Sequence, residues 1–156
     1  MSDDIAADFL YQLGANLNAG DKLLIGADLI KPADIIMPAY DDKEGITREF
    51  NMNLLRRMNH ELEATFDVDA FTHAPEYDEE EGIAKSFLES KQDQHVEINA
   101  TGKVYQFRAG EKIHTETSRK YNDEILKNIL SKTDFEITHK LTDSKHYFAD
   151  YIMSRR

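Results

Sequence analysis

The residues of this chain best suited to chemistry lie at 111–121, in the stretch EKIHTETSRKY. His114, Glu116 and Ser118 alternate there with Ile113, Thr115 and Thr117. Alternate residues of a β-strand share a face. One face therefore gathers an imidazole, a carboxylate acceptor and a hydroxyl that both donates and accepts. Spacing alone leaves two readings open. The face is either turned to water or forms the wall of a site for a small polar molecule.

His95-Val-Glu97 repeats the His-x-Glu spacing of His114 and Glu116. Two such pairs on neighbouring strands could hold a metal. Zinc deaminases use H-x-E, but with cysteine ligands that this chain lacks. Six histidines in 156 residues also make chance pairs common, so solvated strand faces are the plainer reading and no metal ligand is assigned. His73, His139 and His146 stand isolated and read as surface or part-buried residues. Tyr40, in AYDD, follows an early apolar strand and its loop. Ligands of α/β sheets bind at the carboxyl ends of strands. Tyr40 there either reaches a ligand or packs within an Asp-rich turn. The sequence has no G-x-G-x-x-G, no P-loop, no G-x-S-x-G and no H-E-x-x-H.

The elements that must position these residues are legible from periodicity. Ile5, Phe9, Leu13 and Leu17 recur every four residues, which predicts an amphipathic helix, and Asp3 and Asp4 favour its amino end. A turn at NAGD leads to KLLIGADLI, apolar at successive positions. That pattern predicts a strand buried on both faces, as in a parallel sheet. Lys31-Pro32 ends it, and a loop containing Pro38 runs to Gly45. Ile46, Phe50, Leu54, Met58 and Leu62 mark a second helix, with Asp42 or Thr47 as its cap. FDVDAF reads as a linking loop. Strands are then expected at 72–77, 83–89, 94–99, 104–108 and 112–118, joined as antiparallel hairpins by DEEEG, SKQD, NATGK and RAGE. Ile125, Leu126, Ile129 and Leu130 predict a helix capped by Asn122 or Asp123. FEITHKL and HYFADYIM follow as a hairpin at a sheet edge. The class is α/β. Residues 1–44 and 119–156 would share one sheet, and 45–118 would form a separate lobe inserted into it.

The totals set limits on function. The chain is 40% hydrophobic and 31% charged, the balance of a folded globular protein. A net charge of −11 repels phosphate backbones, so nucleic acid and anionic membranes are poor partners. The absence of cysteine excludes disulfides, thiolate nucleophiles and zinc–thiolate sites. No apolar run approaches the roughly 20 residues of a membrane span, and the acidic start MSDDIAADF is unlike a secretory signal. The expected location is cytoplasmic.

LLIGADLIKP, AYDDKEGITREFNMNLLRRMNHEL, FDVDAFTH and FRAGEKIHTETSRKY occur in that order. Together they resemble the carboxyl-terminal part of the histidine-specific methyltransferase family. Its members are S-adenosylmethionine-dependent enzymes of the ergothioneine pathway that methylate the α-amino group of histidine. The resemblance runs from about residue 9 to residue 148. It implies a Rossmann-like methyltransferase domain interrupted by an α+β substrate-binding lobe. It also implies that Tyr40 helps hold the substrate carboxylate, and that Glu116 and Ser118 match an E-x-S pair contacting the imidazole. A carboxylate accepting from a ring N–H makes a charge-assisted bond, which discriminates well in a dry pocket.

The family's cofactor-binding turn, and an asparagine for the substrate carboxylate, belong to an amino-terminal half that these motifs do not include. S-adenosylmethionine is thus the cofactor of the full-length family, with none expected for this chain alone. No catalytic or cofactor-binding residue is assigned, because methyl transfer to an amine depends on alignment more than on acid–base groups. Ser86, in IAKSFLES, stands where the family usually has a methionine facing the substrate. The expected partners are a histidine-like amino acid, an amino-terminal partner chain, and further copies of this chain through exposed sheet edges. The competing reading is a non-catalytic binding or oligomerisation module.

Overall fold

The structure is a computed structural model and describes residues 2–156. The chain divides into two compact units. One comprises Met1–Pro32, Glu79–Ile83 and Ser118–Arg156, and the other comprises Ala33–Asp78 and Ala84–Thr117. Residues 33–44, read above with the first part, cluster with the second unit.

The first unit opens with helix α1, Asp3–Gly14. Its cap is Ser2, whose hydroxyl accepts the Ile5 amide. The inward face is Ala6, Ala7, Leu10 and Gly14. These small residues let the helix lie close to the sheet, and a Cβ on Gly14 would come 3.3 Å from the Phe135 ring. Ile5 and Phe9, expected on the buried stripe, are 57% and 58% exposed. Periodicity found this helix but assigned the wrong face to the core.

Strands β1 (Lys22–Asp28), β7 (Phe135–Thr142) and β8 (Phe148–Arg155) form one sheet in the order β1-β8-β7. Both pairings are antiparallel, with Leu24 opposite Ile152 and Ile25 opposite Tyr151. The expected parallel partner of β1, and its burial on both faces, are therefore corrected. β1 is an edge strand, and Leu24 is 65% exposed. The terminal hairpin is present as predicted, but β8 lies in the middle of the sheet, because β1 claims its second side. Helix α4, Asp123–Leu130, is capped by the Asn122 side chain, which accepts the Ile125 amide at 2.8 Å. α1, α4 and one sheet face bury Leu10, Leu126, Ile129, Phe135, Tyr151 and Met153.

The second unit holds helices α2 (Ala33–Tyr40) and α3 (Ile46–Glu61). It also holds most of the strands β2 (Phe71–Asp78), β3 (Ile83–Ser90), β4 (Gln94–Ile98), β5 (Lys103–Phe107) and β6 (Lys112–Arg119). They form a β2-β3-β6 sheet and a β4-β5 pair. The five strands match the predicted positions closely. α2 replaces the predicted loop. Pro38 suggested a break, yet it lies inside the helix, where it gives up the one backbone bond to the Asp34 carbonyl and the helix continues past it to Tyr40. In α3 the predicted stripe is again displaced. Ile46 and Phe50 are exposed, while Asn51, Met52 and Leu55 face inward. Asn59 fixes the following segment by accepting the Phe66 amide and donating to its carbonyl, both at 2.8 Å. Phe66, Phe71 and Phe107 then stack edge to face or tilted, at centroid separations of 5.6–6.1 Å. No helix among the described residues is long and apolar enough to cross a membrane.

Leu55 is completely buried among Met52, Phe66, Phe71, Leu88 and Val96. Leu55→Ala is expected to lower the unfolding free energy by about 2–5 kcal/mol, read from denaturant titration. A loss of only a few tenths of that would show that α3 does not close this core.

Candidate functional site

Glu116 lies on β6, an edge strand of the β2-β3-β6 sheet. It borders a groove of about 260 Å³ shared with Phe50, Asn51, Asn53, Leu54 and Arg57 of α3 and with Thr115. The positioning is polar. The Thr115 hydroxyl lies 2.8 Å from Asn51 Oδ1 and 3.0 Å from the Ser86 carbonyl. Buried Asn51 in turn donates to the Thr47 carbonyl one helical turn back, at 3.1 Å. These bonds tie β6 to α3 and leave the exposed Glu116 side chain at the groove, with no ion-pair or hydrogen-bond partner among the described residues. Arg57 lines the same groove but does not neutralise Glu116. Its guanidinium is held by both oxygens of Glu61, at 2.8 and 3.0 Å, and this bond holds the Glu61 carboxyl below its usual range. The groove thus pairs an apolar helix face, Phe50 and Leu54, with an open carboxylate acceptor.

Ser118, two residues further along β6, is held from behind. Buried Lys120 donates to its Oγ at 2.9 Å and pairs with Asp28 at 2.9 Å. Lys31 takes the other oxygen of Asp28 and donates to the Tyr147 carbonyl at 2.9 Å. Burial pushes the Asp28 carboxyl up, but the bonds and charges of Lys31 and Lys120 outweigh it and leave the carboxyl lowered. An ammonium can only donate. The Ser118 oxygen therefore acts as acceptor toward Lys120, and its own hydrogen remains available to a ligand.

Tyr40 is the last residue of α2 and is half-buried. Its carbonyl accepts from His73 Nε2 at 2.8 Å, so that nitrogen carries the proton. Directly after Tyr40, Asp42 caps α3. Its carboxylate accepts the amides of Thr47 and Ile46, both at 2.8 Å. These two bonds hold the carboxyl at about 2, against its ordinary 3.8. The Asp-rich segment is thus a fixed joint between two helices. His114, on the same β6 face as Glu116, lies 2.8 Å from the Thr117 hydroxyl and against the Phe87 ring. His95 and Glu97 lie on β4, in a different sheet from His114 and Glu116. The two His-x-Glu pairs therefore do not occupy neighbouring strands, and no group of three potential ligands occurs among the described residues.

Two buried polar residues were not legible as such. His73 keeps Nδ1 unpaired, and Ser86, almost wholly buried, keeps Oγ unpaired. Nothing in their spacing signals this, because burial of β2 and β3 depends on what packs against them.

The chain matches the model of the S-adenosylmethionine-dependent histidine-specific methyltransferases over residues 1–155. It belongs to that family. It is 39% identical over 137 residues to a histidine N-alpha-methyltransferase of Mycolicibacterium smegmatis, a match that covers 88% of this chain and 43% of the relative. It is 42% identical over 115 residues to the enzyme so named in Mycobacterium tuberculosis, covering 74% of this chain and 36% of the relative. The ergothioneine biosynthesis protein 1 of Schizosaccharomyces pombe is 30% identical over 152 residues, of which this chain spans 19%. The chain thus spans less than half the length of each of these relatives. A methyltransferase structure from Clostridium acetobutylicum, described as S-adenosylmethionine-dependent, superposes with a TM-score of 0.46 at 10% identity, covering 99% of this chain and 52% of that one.

The cap at Asp42 has a pH signature. A carboxyl lowered on folding contributes stability that is full above its ordinary pH 3.8 and is lost as pH falls toward about 2. Asp42→Ala is expected to be less stable than the parent at neutral pH, with the gap closing through that acid window, followed by urea denaturation at each pH. A gap independent of pH would remove the carboxylate from the cap.

Proposed function

We propose that this chain is the carboxyl-terminal portion of an S-adenosylmethionine-dependent amino-acid N-methyltransferase, and that it supplies part of the pocket for histidine. In this reading the first unit is part of a Rossmann-like methyltransferase domain, and the second is a substrate-binding lobe inserted into it. Family membership supports the reaction class. The observation that carries the substrate is the uncommitted carboxylate of Glu116 beside Phe50 and Leu54.

A neutral imidazole offers one N–H and one bare nitrogen. Glu116 accepts the N–H, and Ser118, already supplied with a proton by Lys120, donates its own hydrogen to the bare nitrogen. Both residues are on β6, at alternate positions. An analogue with an apolar ring would leave both side chains unpaired, which is the strongest kind of discrimination a small pocket offers. The Tyr40 phenol takes the substrate carboxylate. No step is assigned through the cofactor, because these residues do not fit it on their own. The amides opening α3 are consumed by Asp42, and Asn122 caps α4.

The test is a polypeptide that joins the amino-terminal part of the Mycolicibacterium smegmatis relative to this chain. Glu116→Ala is expected to weaken histidine binding at least tenfold, about 1.4 kcal/mol, and to leave S-adenosylmethionine affinity unchanged. Glu116→Gln should lose less, since it keeps an acceptor without the charge. Unchanged histidine affinity in calorimetric titration would take Glu116 out of the pocket.

A further inference from the structure

Tyr40 ends a helix that is poorly equipped to hold it. α2 has only eight residues, and Pro38 within it has no N–H to give to the preceding turn. The Asp41 amide closes the last turn on the Met37 carbonyl, at 2.8 Å. The carbonyls of Ala39 and Tyr40 lie beyond that bond, where a helix offers no donors of its own. Both take their donors from elsewhere in the second unit. The Thr47 hydroxyl donates to Ala39 at 3.3 Å, and His73 Nε2 donates to Tyr40 at 2.8 Å.

The His73 bond is the shorter of the two and comes from a strand. His73 is buried on β2, two residues from Phe71, so both side chains turn to the face that Phe71 places in the core. Its Nδ1 is buried and has no partner. The ring therefore makes one hydrogen bond, the one to Tyr40. A buried polar atom without a partner is costly, and an apolar residue at this position would avoid that cost. What only the polar ring supplies is the donor to Tyr40. On the other side of Tyr40, Asp42 is fixed by the amides of Ile46 and Thr47. Tyr40 thus stands between two anchored points.

We propose that His73 is a positioning residue for the substrate carboxylate. Its Nε2–H holds the Tyr40 carbonyl and thereby sets where the Tyr40 phenol meets that carboxylate. The proposal rests on the role given to Tyr40 under the proposed function. His73 touches no substrate and acts only through Tyr40. The phenol oxygen is the far end of a stiff ring, so a small turn of the Tyr40 backbone becomes a larger displacement there. A misplacement of about 1 Å is enough to cost roughly a hundredfold in rate.

The test is a double-substitution cycle in the polypeptide that joins the amino-terminal part of the Mycolicibacterium smegmatis relative to this chain, with histidine affinity read by calorimetry. Tyr40→Phe is expected to weaken histidine about tenfold or more, the loss of a hydrogen bond to a charged group. His73→Leu is expected to weaken it roughly fivefold. The double variant should lie within about twofold of Tyr40→Phe alone, because His73 then has no phenol to place. His73→Gln, whose amide nitrogen donates to the same carbonyl, should lie within about twofold of the parent. Losses that multiply in the double variant give His73 a general structural role and overturn the proposal. So does His73→Gln as weak as His73→Leu. Tyr40→Phe without effect overturns the role of Tyr40 and this proposal with it, whereas an effective Tyr40→Phe beside an indifferent His73→Leu overturns this proposal alone. One measurement needs no substitution. Nitrogen NMR of this chain at neutral pH should show a proton on His73 Nε2 and none on Nδ1. A bare Nε2 overturns the proposal whether or not the substituted chains fold.

Discussion

The antiparallel pairing of β1 with β8 is the constraint on which the first unit depends. It joins residues 22–28 to residues 148–155 and so ties the two ends of the chain into one sheet. The residues between Leu29 and Tyr121 leave that sheet and come back to it. The chain leaves beyond Leu29 and returns at Tyr121, and those two residues form a parallel bridge. Departure and return are therefore adjacent. The entropy of closing a long excursion grows only logarithmically with its length, by roughly 0.6 kcal/mol per doubling. Once β1 and β8 are paired, a large intervening segment is thermodynamically inexpensive, provided it folds on its own core. The Met52, Leu55, Phe66, Phe71, Leu88 and Val96 cluster is such a core.

The same crossing explains why two lysines and one aspartate meet there, Lys120 buried and the other two part-buried. Asp28 ends β1, Lys31 follows it, and Lys120 lies just past β6. Lys120 is the buried member, so its charge needs the Asp28 partner, yet an intact ion group rarely adds much net stability. Its value here is geometric. Three charges that must meet fix the relation of the β1 end to the β6 end within this unit, and the ammonium of Lys120 then sets the proton direction of Ser118. A neutral hydrogen-bond partner for Ser118 would leave that direction free to rotate. A structural charge cluster thereby fixes the hydrogen-bonding role of the Ser118 hydroxyl.

Much of this was legible in the sequence, for identifiable reasons. The three predicted amphipathic helices, the five middle strands and the terminal hairpin follow from local periodicity and turn residues, which are properties of a few consecutive side chains. The face of α4 was legible, with Leu126, Ile129 and Leu130 buried as predicted, but those of α1 and α3 were not. Ile5–Phe9 and Ile46–Phe50 are larger and more apolar than Ala6–Ala7 and Asn51–Met52, yet the second member of each comparison is the buried one. Small residues win where a helix must approach a sheet closely, and Asn51 wins where Thr115 needs a partner. Of the candidate site, Glu116 and Ser118 could be named from alternation and resemblance. The Lys120 contact behind Ser118, and the unpaired buried atoms of His73 and Ser86, arise from packing between distant segments and leave no local pattern.

The misread surfaces share one feature. Wherever the sequence pattern overstated burial, as at Ile5, Phe9, Leu24, Ile46 and Phe50, the residue is apolar and the structure leaves it exposed. Isolated exposed apolar residues are ordinary on protein surfaces. Ile5 and Phe9 are one helical turn apart, Ile46 and Phe50 likewise, and Phe9 and Leu24 border one groove. Such continuity is the pattern of a face meant to be covered. Periodicity reports which residues are apolar, whereas accessible surface reports which of them the described residues cover. The two disagree side by side at Phe9 of α1 and Leu24 of β1, so the misreading there is of one continuous surface rather than of two scattered positions.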